Sequence, residues 1–302
     1  MNDLILHHYD ISPYAEKIRL VMGLKGLRWR SVQIPIVMPK PDLTALTGGY
    51  RLTPVLQVGA DIYCDTKVIA RRLEQERPSP TLHPTGHGAI ERGLAHWGET
   101  LFMDVVIIGF GMGMFPPDFV ADRQKMVPGG VNAELAKMIV PSKMDEIRAK
   151  VDLVERQLAD GRAYLLGDAV SLADLSVYHP LWAAKSFAQS AVPFARLRYV
   201  PAWMDRIAAL GHGERVEMDS REAVEIARRA TPTTRAGIDE GDPNGRRPGD
   251  RVQAFPEPYG RDPVVGELVF ADAHEVAIRR TDERAGEVVV HFPREGFVIL
   301  SA

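Results

Sequence analysis

Leu4-Ile5-Leu6-His7-His8-Tyr9-Asp10-Ile11-Ser12-Pro13-Tyr14-Ala15 sets a hydroxyl where a short apolar strand hands over to a helix. Pro13 suits the first helical turn, because its missing N–H would have no partner there, and Ser12 then becomes the N-cap of a helix from Tyr14 to about Leu24. A helix N-terminus carries roughly half a positive charge. It favours a thiolate over a thiol, and the Ser12 hydroxyl is a candidate donor to such a thiolate. A capping serine with no further role is the plain alternative, and this stretch alone does not separate the two.

Forty residues on, Leu52-Thr53-Pro54-Val55-Leu56-Gln57-Val58 is a β-type run broken by proline, which belongs on an edge, at a bulge or in a cis turn. Edge backbone pairs with peptide ligands. Asp61-Ile62-Tyr63 makes a second strand after the Gly59-Ala60 turn, and Cys64-Asp65-Thr66 opens an amphipathic helix with Ile69 and Leu73 on one face. Asp65 and Thr66 thus stand at a second helix N-terminus.

Strand, Ser-Pro helix, strand with proline, hairpin and acidic-hydroxyl helix start, in that order, resemble the thioredoxin-like domain of the soluble serine-type glutathione S-transferases. The resemblance implies that Ser12 occupies the first position of a Cys-Pro-Tyr-Cys type motif, where its hydroxyl would hydrogen-bond the glutathione sulfur. Ala15 replaces the second cysteine, so no dithiol–disulfide cycle runs at this motif. Pro54 is similar to the family's cis-proline, and Thr53 and Val55 flank it as candidates for main-chain pairing with the cysteinyl part of glutathione. Asp65-Thr66 resembles the acidic-hydroxyl pair that holds the γ-glutamyl end, a carboxylate for the ammonium and N–H groups for the carboxylate.

From about Gly88 to Ala230 the periodicity turns helical and strand signals vanish. Met144, Ile147, Val151, Val154 and Leu158 form one apolar stripe. Ser171 and Asp174 have capping-box spacing before a helix from Leu172, in which Pro180 should cause a kink or an early end. The Leu-Gly-Asp and Ser-Leu-Ala-Asp runs here resemble the capping motif of the family's helical domain. Phe102, Met103, Phe110, Met112, Met114 and Phe115 offer an adaptable apolar surface. By the resemblance these, with Tyr14, line the electrophile pocket; core packing or a dimer interface explains the same residues.

Beyond the resemblance, 237–263 is crowded with Gly, Pro, Asp and Arg and reads as a linker with turns. Short β-branched runs follow at 251–255, 264–270, 275–278, 287–291 and 297–300. So small a set has little core of its own, and the expectation is an SH3-like roll or curled hairpin sheet docked on the helical domain. The expected fold is α/β plus all-α: a thioredoxin-like glutathione-binding domain at 1–82, an all-helical domain at 88–230, a linker at 231–250 and a small β module at 251–302.

The chain has 302 residues and 37 Lys+Arg against 40 Asp+Glu, a net charge of −3, which implies neither nucleic-acid nor membrane attraction. From residue 231 onward nine arginines face thirteen carboxylates, which also argues against nucleic acid. The single cysteine, Cys64, fits a reducing, cytoplasmic setting, and beside Asp65 it should be a buried thiol of raised pKa. The N-terminal residues carry no basic stretch, so no signal peptide is expected. His7 and His8 read as strand-end histidines exposed to water, or else as residues at the mouth of the site. His83 and His87 are four apart, but Pro84 and Gly86 prevent the helix that would aim both at one metal, so no metal site is expected. The reading as a whole is a detoxifying transferase, a homodimer, that joins glutathione as co-substrate to a small hydrophobic electrophile. The alternatives are a glutathione-dependent isomerase of maleylacetoacetate type and a non-catalytic binding protein of the same fold.

Overall fold

The computed structural model describes residues 3–127, 130, 132–188, 191–234, 236–257, 259–260 and 262–302, the side chain of Phe187 excepted. Strand β1 (Leu4–His8) pairs parallel with β2 (Arg28–Gln33) and antiparallel with β3 (Val55–Val58), and β4 (Asp61–Cys64) pairs antiparallel with β3. Successive side chains point to opposite faces of a strand. Leu4, Leu6, Leu56, Val58 and Tyr63 accordingly fall in one apolar cluster, and Ile5, Val55, Ile62 and Cys64 in another. Helices α1 (Pro13–Leu24) and α3 (Thr66–Glu76) cover the first face through Ile18, Val21, Ile69 and Leu73. Helix α2 (Pro41–Thr47) covers the second with Leu43 and Leu46. This is a thioredoxin-like domain. Because β3 lies between β1 and β4, it is an inner strand and not the edge that its proline admits.

The helical part comprises α4 (Gly88–Gly111), α5 (Pro117–Gln124), α6 (Ala133–Gln157), α7 (Leu172–Phe187) and α8 (Val200–Ala208). Ile147, Val151, Val154 and Leu158 are buried in the same cluster as Val21, which joins the bundle to the first face of the sheet. The Asp174 carboxylate accepts from Ser171 N, Ser171 Oγ, Leu165 N and the Trp203 indole, so the expected cap also ties α7 to α8. Helix α7 runs through Pro180 to Phe187. The carbonyl that Pro180 leaves without its N–H is that of Ser176, and it lies against Gly98 of α4, where a Cβ would sit 2.5 Å from the oxygen. No helix among the described residues is long and apolar enough to cross a membrane.

After α8 the chain returns to the sheet. Strand β5 (Glu214–Glu217), in a region read as free of strands, pairs parallel with β2. Its sequence, Glu-Arg-Val-Glu, has no apolar alternation to announce it; main-chain pairing alone makes the strand. Helix α9 (Ser220–Arg229) then covers the second face beside α2, with the Ser220 hydroxyl donating to Asp42 at 2.5 Å.

The tail forms β6 (Gly237–Ile238), β7 (Arg251–Pro256), β8 (Val264–Ala271), β9 (Glu275–Asp282), β10 (Gly286–Pro293) and β11 (Phe297–Ser301). All five expected runs are strands, but they do not dock on the helical bundle. Strand β10 pairs parallel with β4, Val290 opposite Ile62, so one sheet runs β11-β7-β8-β9-β10-β4-β3-β1-β2-β5, with β6 paired to β8. The physical reason is twofold. Without β10, β4 would leave its N–H and C=O groups open along an edge. Val264, Leu268, Ile278, Val288, Val290 and Phe292 also share one core with Ile5, Ile62, Ala223 and Val224. At the joint, Asp61 accepts from Thr233 N, Thr233 Oγ1 and Thr234 Oγ1, and buried His291 bridges Asp61 and Glu275. The stretch read as the start of a linker is thus tied to the sheet.

Candidate functional site

Ser12 caps α1: its backbone is extended (φ −75°, ψ 119°) and its Oγ accepts from Ala15 N at 3.2 Å. The hydroxyl keeps its own hydrogen to donate. Ser12 is buried, at 3% exposure, so an anion it meets is shielded from water. The Thr53–Pro54 bond is cis. Val55 lies inside the ladder, opposite His7 and Cys64, whereas Thr53 lies just before it. The Thr53 Oγ1 is buried and has no hydrogen-bond partner among the described residues. Asp65 caps α3 with its Oδ1 accepting from Lys67 N at 2.8 Å, in a backbone conformation (φ 87°, ψ 141°) that residues other than glycine rarely adopt. Thr66, the first residue of α3, is buried.

The Tyr14 ring, in the first turn of α1, packs edge-on against Phe102 at 4.8 Å and against His179 of α7 at 4.8 Å. Lys17, one turn on, stands 5.4 Å over the Tyr14 ring, and burial pulls its pKa down to about 8 despite Glu99 and Asp65. Of the apolar residues expected in the pocket, Phe102 makes this contact. Phe110 and Phe115 instead cluster with Phe119 at 4.8 to 6.3 Å, under the Arg123 guanidinium. Met103, Met112 and Met114 are each more than 40% exposed. An open depression lined by Leu158, Arg162, Tyr199 and Arg206 holds none of these residues.

Two histidines depart from expectation. His7 and His8 are buried, not exposed. His7 Nε2 is 2.9 Å from Gln57 Oε1, and burial lowers its pKa to about 4. His8 Nδ1 lies 3.1 Å from the Arg19 guanidinium and can only accept from it, so Nε2 carries the proton and donates to Ser31 at 3.0 Å. Burial, then Arg19 and Arg215, lowers its pKa to about 3. Both are neutral core groups whose partners lie on other elements. Cys64 is buried, with its thiol pKa raised first by burial and then by Asp65, as its neighbours predict. Among the described residues no three His, Cys, Asp or Glu side chains form a metal-holding group.

One residue at this place was not named from the sequence. Tyr259, in the β7–β8 connection, lies near enough to Tyr14 and Asp65 to feel them, and burial, then the charges of Asp65 and Glu99, pushes its pKa up to about 12. Only Tyr259-Gly260, among turn residues, hints at it: an aromatic beside a glycine in a polar loop.

Known proteins of the same fold agree with this architecture. The model of the glutathione S-transferase N-terminal domain matches residues 6–81, and that of the glutathione S-transferase C-terminal domain matches 132–206. A GST-like protein from Pseudomonas syringae is 44% identical, superposes with a TM-score of 0.80, and the match covers 100% of both chains, tail included. The chain belongs to the glutathione S-transferase family. FzlA from C. crescentus is similar in fold at 22% identity and a TM-score of 0.53, over 68% of this chain and 88% of that one. The theta class glutathione S-transferase of Xanthomonas axonopodis pv. citri, solved with glutathione bound, shares the fold at 17% identity and a TM-score of 0.50, over 69% and 93%. No curated protein matches.

Proposed function

We propose that the protein is a glutathione transferase that joins the glutathione thiolate to a small apolar electrophile. The observation that carries this reading is that two capped helix N-termini, at Ser12 and at Asp65-Thr66, and the cis Thr53–Pro54 turn all adjoin strand ends paired at one end of the sheet, His7 opposite Val55 and Val55 opposite Cys64. Glutathione fits the groups present. Thr53, lying outside the ladder with an orphan hydroxyl, is the better placed of the two residues flanking Pro54 to meet the cysteinyl unit. The Asp65 carboxylate and the N-terminus of α3 suit the ammonium and carboxylate of the γ-glutamyl end.

The chemistry follows from the thiol. A free thiol titrates near ~8.5, so only a few per cent is thiolate at neutral pH. Each unit of depression is about 1.4 kcal/mol of preference for the thiolate, which a hydroxyl donor together with a helix N-terminus can supply. Ser12 then acts as a donor and need not take the proton. The thiolate forms a bond to an electrophilic carbon beside Tyr14 and Phe102, and the displaced electron pair leaves with a halide or moves to an oxygen.

The test is Ser12→Ala, assayed with glutathione and chlorodinitrobenzene alongside calorimetric titration of glutathione. Turnover should fall by about 10²-fold, the loss of one oriented donor to an anion, while the fold is retained. Unchanged turnover removes Ser12 from the chemistry, and a wild-type protein that does not bind glutathione removes the whole reading.

A further inference from the structure

We propose that the Thr53 hydroxyl is a second catalytic donor, which meets the glutathione sulfur together with Ser12 and holds it as the thiolate. The inference rests on the transferase reading and deepens it.

This hydroxyl is out of place in the free protein. Thr53 Oγ1 is buried and has no hydrogen-bond partner among the described residues. Such a group is costly, because it has lost water and gained nothing in return. Valine has the same branched Cβ without the polar atom, so packing alone does not call for threonine here.

The register says what the hydroxyl lies beside. In the β1–β3 ladder Leu6 stands opposite Leu56 and His7 opposite Val55. Continued two residues past its end, the same register sets Thr53 abreast of Tyr9. The Tyr9 carbonyl accepts from Ser12 N at 3.0 Å, which closes the turn that presents Ser12. Thr53 and Ser12 thus belong to the two chain segments that meet at the head of α1. The segment before Thr53 is also held still. Lys40 Nζ donates to Arg51 O at 3.2 Å, and Gly260 of the β7–β8 connection runs so near that a Cβ there would lie 3.2 Å from Leu52. A hydroxyl on so fixed a turn is set before the ligand arrives, and spends nothing on reorientation when charge develops.

The hydrogen count points to one shared acceptor. Ser12 Oγ accepts from Ala15 N and keeps its own hydrogen to donate. Thr53 Oγ1 keeps its hydrogen too, since among the described residues no bond joins it to Ser12 or to any other group. A thiolate sulfur takes both. When glutathione ionises here, its S–H bond breaks, the proton passes to water, and the electron pair stays on the sulfur, to which the two hydroxyls donate. Hydrogen bonds to an ion are stronger than those to a neutral group, so the pair favours thiolate over thiol. The main chain of Thr53 is left for the peptide part of the cysteinyl unit.

Thr53→Val removes the hydroxyl and keeps the branched Cβ. The thiol pKa of bound glutathione is read from ultraviolet thiolate absorbance and from the pH profile of kcat at saturating glutathione, with chlorodinitrobenzene as electrophile. It should rise by about one unit, about a tenfold loss of thiolate below the pKa. Affinity for S-methylglutathione, whose sulfur cannot ionise, should stay unchanged, and Thr53→Ser should keep the wild-type thiol pKa. The valine variant gives up a hydroxyl without a partner, so its urea midpoint in the absence of glutathione should not fall. A thiol pKa equal to that of the wild type overturns the proposal. So does an equal weakening of glutathione and S-methylglutathione, which would assign the hydroxyl to the peptide part of the ligand. A lower urea midpoint overturns it as well, by giving the hydroxyl a partner in the free protein. Each of these leaves the transferase reading standing, whereas a wild-type protein that does not bind glutathione overturns that reading and the proposal with it.

Discussion

The two helix caps at the Ser12 end of the sheet find their partners within a turn of chain, whereas the groups that fasten the tail find theirs across the whole sequence. Ser12 caps through Ala15 and Asp65 through Lys67. Asp61 is held by Thr233, Thr234 and His291, and Arg280 donates to the carbonyl of Ala45 at 2.5 Å. The first kind of contact is dictated by local backbone geometry and forms wherever the helix forms. The second depends on β10 having reached β4. The capped end is therefore a local device, and the tail is the long-range closure that buries the sheet behind it.

The hardest test of that contrast is to delete everything after Thr231. Ile5, Ile62, Ala223 and Val224 would lose the tail side chains that share their core, the β4 edge would open, and Asp61 would lose every partner named above. The loss should exceed ~5 kcal/mol, a fall in melting temperature of about 10 °C or more for a chain of this size, or failure to stay soluble. Ser12 and its cap lie outside this damage. A truncated protein that melts with the full chain would make the tail a mere appendage.

A smaller and sharper effect is expected at the joint. Burial pushes the Asp61 carboxyl up, but hydrogen bonds from His291, Thr233 and Thr234 outweigh it and hold the pKa at about 2. A carboxylate whose folded pKa is depressed adds stability above its unfolded pKa, lost as pH falls through the folded one; for Asp61 that is about 2 kcal/mol, lost between about pH 4 and pH 2. His291 works in the opposite sense. Burial lowers its pKa, yet bonds to Asp61 and Glu275 win and raise it, so its contribution is full below about pH 6.5 and disappears as pH rises through the raised value. Asp61→Asn should flatten both limbs of a stability curve measured by urea unfolding. Curves that stay parallel to the wild type would show that the network does not fasten the tail.

The same contrast explains what the sequence reveals. The Ser12 and Asp65 caps, the Ser171–Asp174 cap and the stripe from Ile147 to Leu158 are written in spacings of two to four residues, and the structure has them all. The tail strands were legible as strands, but alternation says which face is apolar and not which edge will receive it. The burial of His7 and His8 depends on Gln57, Ser31 and Arg19, three elements away from a strand-end reading. Tyr259 comes to Tyr14 from the far end of the chain. Each miss is a pairing between distant segments, for which a single sequence carries no local signal.

The finest test lies within the local device itself. Asp65 combines a cap with a positive φ of 87°, a conformation that costs about 1 to 3 kcal/mol in a residue bearing a Cβ. Its side chain offsets part of that strain by accepting from Lys67 N, a bond whose loss costs ~1 kcal/mol. Asp65→Ala loses the cap and keeps the Cβ, so it should be the less stable variant. Asp65→Gly loses the same cap but relieves the strain, and should fall within about 1 kcal/mol of the wild type. Neither retains the carboxylate. If Asp65 receives the ammonium of glutathione, both should weaken its binding alike, by roughly tenfold or more, the worth of a charge-assisted hydrogen bond. Chemical denaturation and glutathione calorimetry on the two variants separate the roles. Glutathione affinity that follows stability, weak in the alanine variant and intact in the glycine variant, would mean that the conformation of the turn, and not its charge, prepares the site.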